Sequence, residues 1–140
     1  MIDDITTAVI TALSGLSGLS GVAVVAAYDN SKNVEDANGK IVIVNASSEV
    51  MSSLANGKPM AWRVNLNISS ETHCEADKNG AIRKGMSAAI FAWMKSLTSL
   101  TVTGYRLDGV LDVAEGETGQ SGENYATRAC TGTLIISSTT

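Results

Sequence analysis

Histidine, proline, cysteine and aromatic residues are all scarce in this 140-residue chain: one His, one Pro, two Cys and 4% aromatics. Two cysteines, Cys74 and Cys130, are too few to staple a disulfide scaffold of this length. Basic residues number 10 against 14 acidic ones, for a net charge of −4. That balance argues against electrostatic capture of nucleic acid, which needs clustered Lys and Arg. No run of about 18 apolar residues occurs, so no segment reads as a membrane span. The opening Met-Ile-Asp-Asp places acids where a secretion signal carries bases, which predicts no export signal. What is present is a 44% apolar share, normal for a chain with a packed core. With so few rings, that core must be small-residue and β-branched, which favours a sheet packed by helices. The length predicts one domain over residues 1–140.

The chain is organised around residues 60–97. Trp62, Val64, Leu66 and Ile68 alternate with Arg63, Asn65, Asn67 and Ser69, the period of a strand with one buried and one wet face. Over 80–97 the period changes, with Ile82, Met86, Ala89, Ile90, Trp93, Met94 and Leu97 on one helical stripe. Upstream, 2–19 predicts a helix, its first turn carrying Asp3 and Asp4 where the helix dipole favours carboxylates. The Leu-Ser-Gly repeats from Leu13 predict fraying near Gly15 to Gly18. Residues 22–28 and 41–44 read as two apolar strands paired as a long hairpin, with 29–40 as its tip. Ser47 or Ser48 as cap and Asn56-Gly57 as stop predict one or two helical turns within 46–58. Residues 101–114 and 125–137 read as an antiparallel pair, with Asp108-Gly109 a turn or a bulge. The segments 29–40 and 115–124 are expected to be long flexible loops. The fold expected is α+β: an antiparallel or mixed sheet of about four to six strands with two main helices packed on one face.

Little here suggests catalysis. Glu71, His73, Glu75 and Asp77 share a side only if extended, on what reads as a strand-to-helix connector; tight metal sites draw ligands from fixed elements. A solvated acidic connector with Asp77 capping the helix is the reading preferred. His73 and Cys74 are adjacent, so on an extended chain they point apart and do not share a proton. The glycine-rich stretches lack the pattern that cradles phosphate. Arg83 and Lys84, near Lys78, read as a solvated face. No catalytic, cofactor or metal residue is assigned.

From Ala61 onward the layout resembles the tail terminator, or tail completion, proteins of long-tailed bacteriophages. The residues that carry the likeness are the strand Trp62-Arg63-Val64-Asn65-Leu66-Asn67-Ile68, the helix ending Ala92-Trp93-Met94, the strand from Val102 to Tyr105, and the closing Thr-Leu-Ile-Ile-Ser. The N-terminal helix and strand also fit, whereas 20–60 departs most. The resemblance implies a non-enzymatic virion protein of the tail or neck, assembled in the host cytoplasm without a cofactor. It implies a ring of copies, six-fold in this family, that caps the tail tube and offers the surface on which the head docks. Tail tube protein and head–tail connector proteins are the partners implied, with DNA passing the lumen unbound and no membrane. Six copies at −4 carry about −24, a wall along which DNA slides. On this reading Arg63, Asn65 and Asn67 face a neighbour or the lumen. Asp29, Lys32, Glu35, Asp36, Glu115, Glu117, Gln120 and Glu123 lie on docking loops. The alternatives are a neck or head–tail joining protein of the same fold and a small non-catalytic binding module.

Overall fold

Alternation in the central stretch produces the strand that holds the sheet together. In the computed structural model, which describes residues 1–29, 39–57, 59–120 and 125–139, that strand is β3 (Pro59–His73). Val64, Leu66 and Ile68 are at most 2% exposed, while Arg63, Asn65 and Asn67 are exposed. β3 lies between β2 (Lys40–Ser53) and β5 (Tyr125–Ser138), antiparallel to both. Outside them lie β1 (Ala23–Ala26) and β4 (Tyr105–Gln120), giving a five-stranded sheet in the order β1-β2-β3-β5-β4. The fold is α+β with a mixed sheet, as the element pattern predicts.

Register makes the core continuous. Val44, Ile68 and Cys130 stand opposite one another across three strands, and so do Ala46, Leu66 and Gly132. α1 (Ile2–Ser14) and α2 (Ala81–Lys95) contribute Ile5, Val9 and Leu13, and Met86, Ile90 and Met94, to the same buried cluster. Each large aliphatic side chain buried there contributes roughly 1.5–3 kcal/mol. Ile82, expected on the buried stripe, is instead 40% exposed. It sits in the first turn of α2, where the backbone is held by a cap rather than by packing. A one-turn 3-10 helix over Ser17–Leu19 follows α1, in the glycine-rich region where the helix was expected to fray.

At Gly132 the sheet lies close against α2. A Cβ added there would run into Met94 Sδ, and Met94 is fully buried. Gly132→Val is therefore expected to destabilise the fold by about 2 kcal/mol through overpacking. Thermal unfolding tests this, and an unchanged midpoint would contradict it.

Three expectations need correction. The first two strands do pair, but in parallel, with Ala23 opposite Ile41 and Ala26 opposite Val44, so they are not the two arms of a hairpin. The helical turns expected in 46–58 are absent among the described residues: β2 continues to Ser53 because residues through Ser53 pair with β3. Asn56-Gly57 is the hairpin turn, closed by the Gly57 N–H donating to the Leu54 carbonyl at 2.8 Å, with Gly57 at φ +84°. Finally, Glu115 to Gln120 belong to β4 and not to a loop, paired with β5 as far as Gln120 opposite Ala126. Strand pairing in β4 begins only at Tyr105, and Asp108 lies in a bulge between Leu107 and Gly109 within one strand.

Candidate assembly surface

Three features of the surface come from sequence that the core does not use. The first is the wet face of the sheet. Asn45 and Ser47 on β2, Asn65 and Asn67 on β3, and Thr131 and Thr133 on β5 border a shallow trough of about 380 Å³. They face outward because they alternate with the buried residues of their strands. The Thr133 hydroxyl donates to Asn65 Oδ1 at 3.2 Å, and the Ser69 hydroxyl donates to Asn67 Oδ1 at 3.3 Å. Asp112 borders the same trough, with φ +55° at a bulge between Leu111 and Ala114. Aspartate tolerates that conformation better than bulkier residues do. Arg63 lies within 3.6 Å of Glu49, both well exposed, a pair that contributes little to stability.

The second feature is an arm. The last pair between β3 and β5 is Ala61 opposite Ser137, and Ser52 stands opposite Ala61, so of the described residues 53–57 and Pro59, at the tip of the β2–β3 hairpin, run past the paired end of β5. Val50, Met51 and Met60 at its base and Leu54 at its tip are 41–53% exposed. Several large apolar side chains grouped on one projection are the kind of patch that marks an interaction surface. β1 pairs β2 only through Val44, so among the described residues the outer edge of β2 beyond that point has no strand beside it. Such an edge is a template for pairing with another chain. The β4 edge is broken along its length, with register shifts in three places, whereas the two shifts in β2 fall between Val50 and Ser53; bulges of this kind blunt an edge.

The third is a charged cluster at the start of α2. Asp77 is 4% exposed. It accepts hydrogen bonds from the Ile82 and Arg83 N–H groups at 2.9 and 3.0 Å and from the Thr72 hydroxyl at 2.9 Å. Burial raises its pKa, but those bonds and the Arg83 charge outweigh it and hold the carboxyl below its ordinary 3.8. Arg83 Nη1 lies 3.3 Å from Asp77, and its Nε lies 3.7 Å from Glu117. Arg128 approaches Glu117 at 3.3 Å and Glu115 at 3.8 Å, and the Ser87 hydroxyl donates to Glu115 at 2.8 Å. The two arginines thus tie α2 to β4 and β5.

This arrangement corrects two readings. Asp77 caps α2 but from a buried position, not from a solvated connector. Arg83 is 14% exposed and ion-paired, while Lys78 and Lys84 are exposed. His73 ends β3, its ring edge-on to Tyr125 at 5.5 Å, and no three His, Cys, Asp or Glu side chains among the described residues converge as metal ligands. Cys130 is buried, and burial together with the Glu115 charge pushes its thiol up to about 11, which leaves it unreactive.

Of the residues assigned to docking loops, Lys32, Glu35, Asp36 and Glu123 lie outside the described residues. Asp29 is exposed just after β1. Glu115 and Glu117 are in β4, held by arginines, and Gln120 ends that strand. The arm was missed. Its signal is the alternation of Val44, Ala46, Ser48 and Val50, which continues the strand period past the serines taken as a cap.

The architecture is that of an α+β protein with a five-stranded mixed sheet. No protein-family model matches the chain, and no curated protein matches it. A solved structure whose name states no function superposes with a TM-score of 0.62 at 14% identity, over 99% of this chain and 92% of its own. That likeness shows the fold. Among the described residues no helix is long and apolar enough to cross a membrane.

Proposed function

We propose that the protein is a ring-forming structural subunit of a phage virion, a tail terminator that caps the tail tube and presents the surface for the head. The observation that best supports assembly is the apolar arm beside an open β2 edge. The edge of β2 from Asn45 to Val50, unpaired among the described residues, in unbroken register with β3 and next to exposed Val50 and Met51, favours contact with another protein surface. A head-to-tail contact repeated by rotation closes into a ring. The partners are further copies, the tube protein and the connector proteins. The trough of Asn, Ser and Thr offers neutral hydrogen-bonding groups, suited either to a neighbour's backbone or to a lumen through which DNA passes unheld.

Asn65→Asp with Asn67→Asp tests the role given to the wet face. Both side chains are exposed, so stability should move by no more than about 0.5 kcal/mol. Assembly beside tube protein, followed by electron microscopy, is expected to fail because two unpaired carboxylates per copy would then be desolvated against the neighbour. Unchanged rings would remove Arg63, Asn65 and Asn67 from the interface.

A further inference from the structure

Hydrogen bonding fixes which way the backbone of β2 faces. The Ala27 N–H donates to the Val44 carbonyl at 2.8 Å, so the N–H and C=O of Val44 point away from β3 and toward β1. Backbone groups alternate in direction along a strand, and the register with β3 is unbroken from Lys40 to Val50. Ala46, Ser48 and Val50 therefore also turn their N–H and C=O groups away from β3. β1 pairs only as far as Val44, so among the described residues no strand meets them. We propose that this edge pairs with the same edge of a second copy, antiparallel about a two-fold axis at Ser48. The proposal rests on the reading of β2 as an interaction edge, and not on the ring.

Three observations select a second copy as the occupant. The open stretch is bounded by the end of β1 on one side and by the register shifts between Val50 and Ser53 on the other. An incoming strand must therefore be short and must bend where it meets β1, and β2 itself does both, because a bulge bends its strand. In the two-fold register Ser48 stands opposite its counterpart and Ala46 opposite Val50, so the three outward residues of each copy are all paired, by about six backbone bonds. The side chains also fit. Ile2, Thr6, Tyr28, Val44 and Ala46 border a cavity of about 320 Å³ at this edge, and the pairing lays the other copy's Val50, 53% exposed in the single chain, beside Ala46. Charge raises no barrier either. The one charged residue from Asn45 to Ser53 is Glu49, which lies 3.6 Å from Arg63 of its own chain and falls opposite Ser47 rather than opposite its counterpart.

Six residues from each copy fall well short of the roughly 20–30 per side of a stable interface. The dimer is therefore weak, dissociating at about millimolar concentration, and single chains predominate at micromolar concentration. An isologous contact stops at two copies, and it covers the edge until a stronger contact displaces it.

Sedimentation equilibrium without tube protein, up to about 1 mM chain, tests the pairing. The mass of the wild type should rise from one chain toward two. Ser48→Lys sets two ammonium groups across the axis and Ser48→Glu two carboxylates, with Cα atoms about 5.5 Å apart. Each variant alone should associate roughly fivefold more weakly or worse, and an equimolar mixture of the two should recover the dimer. Ser48 is exposed, so both variants should keep the wild-type circular dichroism. A wild type that stays monomeric, dimers that survive Ser48→Lys, growth beyond two copies, or a mixture without recovery would each overturn the proposal. Rings are imaged separately, on wild type with tube protein. Their absence beside charge-swapped dimers would leave the two-fold contact and remove the ring, and rings from a chain that never dimerises alone would do the reverse.

Discussion

Asp77→Ala is expected to destabilise the fold by about 3 kcal/mol, the largest effect of any substitution outside the apolar core. The carboxylate is buried, caps two N–H groups of α2, accepts from Thr72 and neutralises Arg83. Removing one member of a buried pair leaves the other charge and the helix donors uncompensated, typically at 3–5 kcal/mol, and Glu117 retains part of the Arg83 interaction. The unfolding midpoint should fall on the order of 10 °C for a chain of this size. Asp77→Asn gives the pH signature. A carboxyl whose folded pKa lies below 3.8 contributes stability that is present above 3.8 and lost as pH falls through the folded value. The gap between wild type and Asp77→Asn is therefore constant near neutrality and narrows below about pH 4. A gap that widened in acid would contradict the assignment.

Val50→Asp with Met51→Asp is expected to leave folding intact and to abolish assembly. Both side chains are about half exposed, so the monomer should lose less than about 0.5 kcal/mol. Apolar anchors at an interface are worth about 2 kcal/mol each, so the pair weakens each contact roughly a thousandfold. Ring closure multiplies the loss, since every subunit makes the contact twice. Circular dichroism reports the fold, and sedimentation velocity beside tube protein reports assembly. Rings from the double variant would remove the arm from the account.

How much was legible depended on whether a residue's partners were close in sequence. Trp62 to Ile68 and Met86, Ile90 and Met94 announce their elements because period alone decides which side is buried. Ser47, Ser48, Asn56 and Gly57 misled because each is a valid local cap or stop signal, and a distant partner, β3, overrode them. Whether 22–28 and 41–44 pair in parallel depends on the path of the chain between them, which composition does not encode. Glu115 and Glu117 looked like loop residues for want of apolar neighbours; Arg83 on α2 and Arg128 on β5 hold them in place. The outward direction of Asn65 and Asn67 followed from alternation, whereas the arm became visible only once β2 was known to continue.

If copies of this chain close into a ring as proposed, the mass of the protein beside polymerised tail tube will show it. The chain should be monomeric at micromolar concentration and gain a discrete closed oligomer, six copies by the family resemblance, at tube ends. A chain that stays monomeric in the presence of tubes, with no density at their ends, would contradict it.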